Sequence, residues 1–266
     1  MISFDVFKDG KRNALTMSYD DGTIYDIKLI EIFNKHGIKS TFHLNSGRFG
    51  VGRNISEKDI ADLYKNHEIS VHGVLHKSLA KLPLQNIIPE IFEDRKNLEK
   101  ICGYPVRGMS FANGSYNKGV ISALKFCGIE YARTTKATKA FELPEDFLEW
   151  HPTCHHNDAV EMGRKFLEQK KRQGKLLYVW GHSYEFNDNN NWDLIEEFCR
   201  MFAKEDDIWF ATNIEIYDYI TAQRNLKISA DNSIVYNPSC QAVWFTVEGE
   251  IFKINGGETL HLRTRS

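Results

Sequence analysis

The sequence predicts an α/β barrel followed by a small β-rich appendage, and two observations lead to this fold class. Short β-rich runs alternate with longer runs of helical periodicity as far as Arg224, which is typical of βα units around a parallel sheet. After that residue the alternation stops, and residues 243–256 form two strand patterns joined by a Glu-Gly turn. We therefore expect a barrel domain over residues 1–225 and a β-rich appendage over residues 226–266.

The individual elements follow from local composition and periodicity. Eight strand candidates, a number close to that of a closed barrel, cover residues 14–18, 40–44, 68–72, 106–111, 129–134, 146–150, 175–182 and 207–212. Helical periodicity covers residues 24–37, 56–67, 84–103, 118–128, 158–173, 192–205 and 213–225. The first helix ends at Gly37 and the second begins at Ser56, both residues that favour these positions. Residues 135–144 are predicted to form a loop.

Composition and charge narrow the class of function. The formal net charge is −2 with no basic stripe, and no run of eighteen apolar residues occurs, so we expect neither a nucleic-acid partner nor a membrane span. The five cysteines are odd in number and widely spaced, which favours reduced thiols. The first residues lack a charged leader followed by a long apolar segment, and we expect a cytoplasmic location.

Reactive side chains follow the predicted strands at the carboxyl ends, where active sites lie in parallel barrels. They are Asp20 and Asp21 after the first strand, His72 and His76 at the third, Asn113 after the fourth, His155 and His156 after the sixth, and His182 at the seventh. The convergence of these polar residues at one edge carries more weight than any single motif.

The histidines and aspartates predict a metal site. His72 and His76 are spaced i, i+4, which suits two imidazoles that face one ion. Asp20 or Asp21 supplies a carboxylate, and the set leaves a position for water or substrate. A cation beside the two aspartates offsets their mutual repulsion, which explains their adjacency better than a solvated turn does.

Three stretches, "LTMSYDDG", "SVHGVLH" and "WGHSYEF", resemble the ordered motifs of the polysaccharide deacetylase family, the NodB-homology carbohydrate esterases. The resemblance runs from about residue 14 to residue 212. It implies a distorted (β/α)7-8 TIM-like barrel. It also implies Asp20 as general base, His182 as general acid, and Asp21 as a metal ligand together with the two histidines of the second motif, His72 and His76. The implied cofactor is a divalent metal, with zinc favoured and cobalt, nickel, manganese or iron as alternatives.

The third and fourth motifs depart from the family pattern. Where the family usually has R-x-P-Y-G, this chain has "FANGSY", with Ala112 in place of proline, and Arg107 lies too early to fill the arginine position. Trp150 is the nearest match to the fourth motif. Because the metal-binding motifs look intact and the substrate-facing ones do not, a substrate other than a long polysaccharide stays open.

Further candidates are assigned to substrate contact. They are Asn113, Tyr116, Trp150, His155 and His156. Cys154, His155 and His156 could instead form a second metal cluster or include a thiol nucleophile, but adjacent residues on a strand face opposite ways. Substrate contact or supporting hydrogen bonds are therefore favoured for them.

The predicted function is a metal-dependent deacetylase that hydrolyses an N-acetyl or O-acetyl group of a small-molecule or oligosaccharide substrate. Its rivals are a hydrolase of another non-peptide C–N bond, such as a formamide or ureide, and a carbohydrate-binding pseudoenzyme. A mononuclear iron oxygenase is a further rival, since two histidines and a carboxylate also suit Fe(II). The barrel pattern and the additional carboxylate of Asp20 count against the oxygenase.

Overall fold

A computed structural model describes residues 1–169 and 174–262. The strands are β1 (Ile2–Ser3), β2 (Asn13–Asp20), β3 (Thr41–Leu44), β4 (Glu68–Val71), β5 (Gly108–Ser110), β6 (Tyr131–Arg133), β7 (Cys154–His155), β8 (Lys175–Gly181), β9 (Ile208–Ala211), β10 (Lys227–Ile228), β11 (Ile234–Tyr236), β12 (Val243–Val247), β13 (Glu250–Ile254) and β14 (Thr259–His261). The α-helices are α1 (Asp26–Lys35), α2 (Glu57–Leu63), α3 (Leu84–Cys102), α4 (Lys118–Phe126), α5 (Ala159–Glu168), α6 (Ser183–Asp188), α7 (Trp192–Phe202) and α8 (Asn213–Arg224).

Strands β2 to β9 form one curled parallel sheet in the order β6-β5-β4-β3-β2-β8-β7, and β9 pairs with the first half of β2. All eight residues of β2 are buried, as expected for a strand covered on both faces by side chains of the barrel and its helices. The predicted distorted (β/α) barrel is confirmed. Because all these strands run the same way, their carboxyl ends lie at one edge of the barrel.

The prediction of a sixth strand over residues 146–150 is wrong. Residues 146–150 contain a 3-10 turn over Phe147–Glu149, because the Asp146 side chain accepts a hydrogen bond from Leu148 N and turns the backbone. The strand at this place in the sheet is the two-residue β7, and Trp150 N bonds instead to Ala132 O in β6. The other seven predicted strands and all seven predicted helices are present, with α6 in addition. The last residues of the predicted helix 158–173 lie outside the described part of the chain.

The C-terminal residues form two small antiparallel sheets, β10-β11-β14 and β1-β12-β13. The predicted hairpin is present, and its turn residues Glu248 and Gly249 both have positive φ, 51° and 85°, as a two-residue hairpin turn requires. The N-terminal β1 pairs with β12 in this region. The division into domains at residue 225 stays a prediction. None of the described helices is long and apolar enough to cross a bilayer.

Candidate active site

The carboxyl edge of the barrel brings together the side chains that the motifs predict. Asp20 is the last residue of β2, His72 follows β4, and His182 follows β8. Two further residues at this edge were not singled out from the sequence, Ser110 at the end of β5 and Arg133 at the end of β6. The site therefore draws on at least five parallel strands, which is how barrel enzymes assemble catalytic groups.

Asp21, His72 and His76 form a compact cluster whose ligand atoms all lie within 4.8 Å of one another. Asp21 Oδ1 is 3.7 Å from His72 Nε2 and 3.4 Å from His76 Nε2. Ligand atoms about 2.1 Å from one tetrahedral ion lie roughly 3.4 Å apart. Asp21 Oδ1 and His72 Nε2 are buried and have no hydrogen-bond partner among the described residues. Two imidazole nitrogens and a carboxylate oxygen with unsatisfied lone pairs fit a divalent metal.

Backbone strain coincides with this cluster. Asp21 and His76 adopt positive φ, 79° and 58°, which side chains other than glycine rarely do. Gly22 follows with φ +62°, and a Cβ there would meet Leu44 Cδ2 at 2.7 Å. Residues held in this region cost of order 1 kcal/mol each and tend to occur at functional sites. The turn after β2 therefore needs glycine at position 22 and holds Asp21 toward the histidines.

A hydrogen bond fixes the orientation of His72. Its Nδ1 lies 3.1 Å from the Ser110 carbonyl oxygen and 2.6 Å from Ser110 Oγ. With the proton on Nδ1 donated to the carbonyl, Nε2 is left as an acceptor that faces Asp21. Metal-ligating histidines commonly have their second nitrogen held in this way. Burial lowers the pKa of His72, although Asp20 and Asp21 oppose that shift, so the neutral form is favoured.

Asp20 lies beside this cluster in a buried ion pair with Arg133. Its second oxygen, Oδ1, accepts a hydrogen bond from Ser110 Oγ at 3.1 Å. Burial by itself would raise the pKa of Asp20, but Arg133, His72 and His43 hold that pKa well below the usual range. The Arg133 guanidinium also lies over the Trp180 ring, 4.3 Å from its centroid. Asp20 is therefore ionised and held in place from two sides.

Arg133 is the arginine that lies beside Asp20. Arg107, which lies too early in the sequence for the arginine of the third motif, forms a two-pronged ion pair with Asp218 at 2.8 and 2.6 Å. The sequence signal that could have found Arg133 is its position as a charged residue ending the short apolar strand β6 at the same edge as Asp20.

His182 is coupled to a carboxylate that the sequence analysis missed. Its Nδ1 lies 3.2 Å from Glu185 Oε1, one turn along α6. Burial would lower the pKa of His182, but Glu185, Asp20 and Asp21 together raise it. An imidazole whose pKa is raised is protonated over a wider pH range, which suits a proton donor.

The predicted substrate residues divide into two groups. Asn113 is exposed beside the metal-binding cluster, and its Nδ2 donates to Ser78 Oγ at 3.1 Å. Tyr116 is partly buried and stacks on Phe111 with ring centroids 4.7 Å apart. A substrate contact for these two residues stays a prediction.

Trp150 and His156 do not have that access. Trp150 is 1% exposed and packs edge-on against Tyr131, Phe147 and Tyr178, so the structure does not support a substrate contact for it. The sequence pattern predicts an exposed Trp150 ring at a strand end, but the chain turns at Phe147 and the ring is buried. His156 is fully buried, whereas His155 is partly exposed.

A cleft of about 400 Å³ begins at Asp21. It is lined by Asp21, Thr23, Arg48, Val51, Gly52, Arg53, Asn54, Tyr184 and Asp188. Its size lies at the low end of the range for small-molecule sites. The side chains of Arg53 and Asp188 are bonded to each other across it at 2.9 and 3.0 Å.

A family match covers the part of the chain that carries the first two motifs. A sequence model of the family described as "Polysaccharide deacetylase" matches residues 7–132, a range that contains Asp20, Asp21, His72 and His76 and ends within β6. The predicted resemblance to the polysaccharide deacetylases is thereby confirmed. No protein of the curated set matches the chain.

Solved structures share the fold. A protein from Mycobacterium smegmatis assigned to the polysaccharide deacetylases matches 84% of this chain and 96% of its own, with a TM-score of 0.63 and 17% identity. A family 4 carbohydrate esterase from Streptomyces lividans, solved with acetate, matches 75% of this chain and 92% of its own, with a TM-score of 0.52 and 12% identity. A family 4 pseudoenzyme from Bacillus anthracis matches 78% and 65%, with a TM-score of 0.50 and 16% identity.

Three other matched deacetylase structures are covered over only 44% to 55% of their own length. At identities this low the likeness shows the fold alone. It includes both an esterase and a pseudoenzyme, so the activity of this chain has to be argued from its own residues.

Proposed function

We propose that this protein is a metal-dependent deacetylase that hydrolyses the N-acetyl group of a carbohydrate. The observation that carries the proposal is one juxtaposition. Asp21, His72 and His76 converge, and the ligand atoms of Asp21 and His72 have no hydrogen-bond partner among the described residues. An ionised Asp20 and a partly buried His182 belong to the same edge of the barrel. A ligand set, a base and an acid are the groups that amide hydrolysis needs.

The residues would divide the work as follows. A divalent metal held by Asp21, His72 and His76 would polarise the substrate carbonyl and lower the pKa of a water. Asp20 takes the proton of the attacking water, and Arg133 keeps Asp20 oriented. His182 gives a proton to the leaving amine, which departs poorly as an anion. A backbone N–H of the segment Asn113–Tyr116 is proposed to stabilise the oxyanion, although those of Gly114 and Ser115 already bond Phe111 O and Ala112 O.

The cleft beside Asp21 and the altered third motif favour a small-molecule or oligosaccharide substrate. A cytoplasmic location of the protein is proposed with it. Zinc is the proposed metal, because two imidazoles and one carboxylate with an open position are a set common in catalytic zinc sites. The same metal and base could act on an O-acetyl group, whose leaving alcohol depends less on proton donation by His182.

The direct test is a mass-spectrometric screen of the zinc-loaded protein against N-acyl sugars and short oligosaccharides. We expect loss of the acyl mass with release of acetate, and no requirement for oxygen or a cosubstrate. His72→Ala is the control, and it should abolish the release. Binding of sugars without turnover by the loaded protein would instead support the pseudoenzyme.

A second candidate keeps the same site and changes the substrate. The chain lacks the family's third motif, and its cleft is small, which also suits a formamide or ureide. The same screen separates the two, because release of formate or ammonia without acetate would favour this candidate.

A further inference from the structure

We propose that His155, His156 and Glu185 form a second divalent-metal site. The three residues share no member with the first cluster, and the proposal goes beyond the function argued above. They belong to β7, the 3-10 turn that follows it and α6. Their ligand atoms also lie within 4.8 Å of one another.

The distances fit one ion. His155 Nε2 and His156 Nε2 each lie 3.0 Å from Glu185 Oε2. Ligand atoms about 2.1 Å from a common ion are separated by roughly 3.0 Å in octahedral and 3.4 Å in tetrahedral coordination. Two imidazole nitrogens and one carboxylate oxygen form the donor set of many zinc sites.

Of the three residues, His156 and Glu185 have unused polar atoms, whereas His155 Nδ1 accepts a hydrogen bond from Asn157 N at 3.4 Å. Glu185 Oε2 and both ring nitrogens of His156 are buried and lack a hydrogen-bond partner among the described residues. The short approaches to Oε2 therefore do not have the direction of hydrogen bonds. His156 is fully buried, and leaving a buried polar group unsatisfied costs about 1–3 kcal/mol. A bound cation would satisfy these atoms together.

Packing holds His156 in the orientation that a ligand needs. Its ring stacks on Phe186, with centroids 4.1 Å apart and planes at 27°, and on Tyr19 on a second side at 5.9 Å and 22°. A Cβ at Gly181 would lie only 2.0 Å from His156 Nδ1, so the glycine of "WGH" makes room for this ring. A rigid ligand loses little freedom when it binds an ion.

The other two residues provide access. The side chains of His155 and Glu185 are 23% and 25% exposed, so an ion can reach the cluster and keep water ligands. Glu185 Oε1, the oxygen directed away from the pair, lies 3.2 Å from His182 Nδ1. The alternative is a metal-free network in which Glu185 only orients His182, and the experiment has to distinguish the two.

The experiment counts cobalt. The full chain is stripped of metal, dialysed against Co²⁺, and analysed by elemental analysis and by its visible absorption. We expect about two ions per chain in the parent protein and about one in His72→Ala/His76→Ala, because only the first site is removed. Adding Glu185→Gln to that double variant should remove the remaining ion and its absorption bands.

A matched control comes from a histidine and glutamate pair elsewhere. His36 Nε2 lies 3.1 Å from Glu196 Oε1, and His36→Gln should leave the cobalt count unchanged. His155→Gln, at a partly exposed position, repeats the Glu185→Gln test without disturbing the packed ring of His156. Circular dichroism verifies that each variant is folded.

The proposal is overturned if the parent protein binds about one ion and His72→Ala/His76→Ala binds none at cobalt concentrations that saturate the parent. Failure of the first site looks different, because the double variant would then keep all the parent's cobalt while Glu185→Gln alone would remove it.

Discussion

The two histidine clusters at the carboxyl edge have similar composition and are held by different forces. Each cluster has one buried histidine and two partly exposed residues. His72 is oriented by hydrogen bonds to Ser110, whereas the ring of His156 is oriented by stacking and has no hydrogen-bond partner among the described residues. Hydrogen bonds fix both the direction and the tautomer of an imidazole, while stacking fixes its plane and leaves the tautomer free.

The two regions also balance their carboxylates differently. Asp20 is paired with Arg133, a cation that stays charged at every pH of interest. Burial would raise the pKa of Glu185, but His155, His156 and His182 hold it well below its usual range. Burial lowers the pKa of His156 to about 4, so this imidazole is neutral at pH 7. The first region therefore pairs its carboxylate with a permanent cation, whereas the buried partner of Glu185 is a neutral ring.

The largest expected effect is on Asp20. Asp20→Asn keeps the shape and the contact with Ser110 but cannot accept the proton of water, so turnover should fall by about a hundredfold to ten-thousandfold. The metal at the neighbouring cluster should stay bound, because Asp21, His72 and His76 are untouched. Acetate release and metal content are measured on the same sample. Turnover near that of the parent would show that the two aspartates have the opposite roles.

His182→Ala tests the residue that touches both regions. We expect a loss of about a hundredfold or more on an N-acetyl sugar and a much smaller loss on an activated acetyl ester, whose leaving group departs without a proton. The comparison is made in parent and variant with metal content verified. Equal losses on the two substrates would mean that His182 positions the substrate or stabilises the oxyanion.

Ser110→Ala tests the hydrogen-bonded anchor of the first cluster. Removal of a group that supports a metal ligand typically weakens metal affinity by about tenfold to a hundredfold. The backbone carbonyl of Ser110 still accepts from His72, so we expect the lower end of this range in a zinc competition titration. Ser115→Ala, which removes a hydroxyl that accepts a hydrogen bond from Ala80 N, is the control. Unchanged zinc affinity in Ser110→Ala would show that the Ser110 carbonyl alone is enough to hold His72.

The difference between the regions also explains what could be predicted from sequence. The first cluster lies in two short motifs, and the i, i+4 spacing of His72 and His76 reports their proximity directly. The second depends on α6, which the polar sequence after His182 did not indicate, and on a two-residue strand reached through the turn at Phe147. Arg133 was missed because its partner Asp20 lies 113 residues away in the chain, and no local pattern reports such a pair.

The smallest effect on the rate at alkaline pH is expected from loss of the fixed charge of Arg133. In the parent protein the lowered pKa of Asp20 keeps this base ionised over the whole pH range in which the protein is folded. At saturating metal, the rate should therefore not fall at acidic pH because of protonation of Asp20. It should fall at alkaline pH, above the ordinary histidine pKa of about 6.5, because the pKa of His182 is raised.

Arg133→Gln removes the cation, and burial then raises the pKa of Asp20. The base is protonated at a higher pH, and an acid limb should enter the profile while the rate at pH 8 changes least. Arg107→Gln, which breaks the ion pair with Asp218, is the matched control and should keep the parent's profile. An Arg133→Gln profile identical to the parent's would show that Ser110 and the histidines alone keep Asp20 ionised.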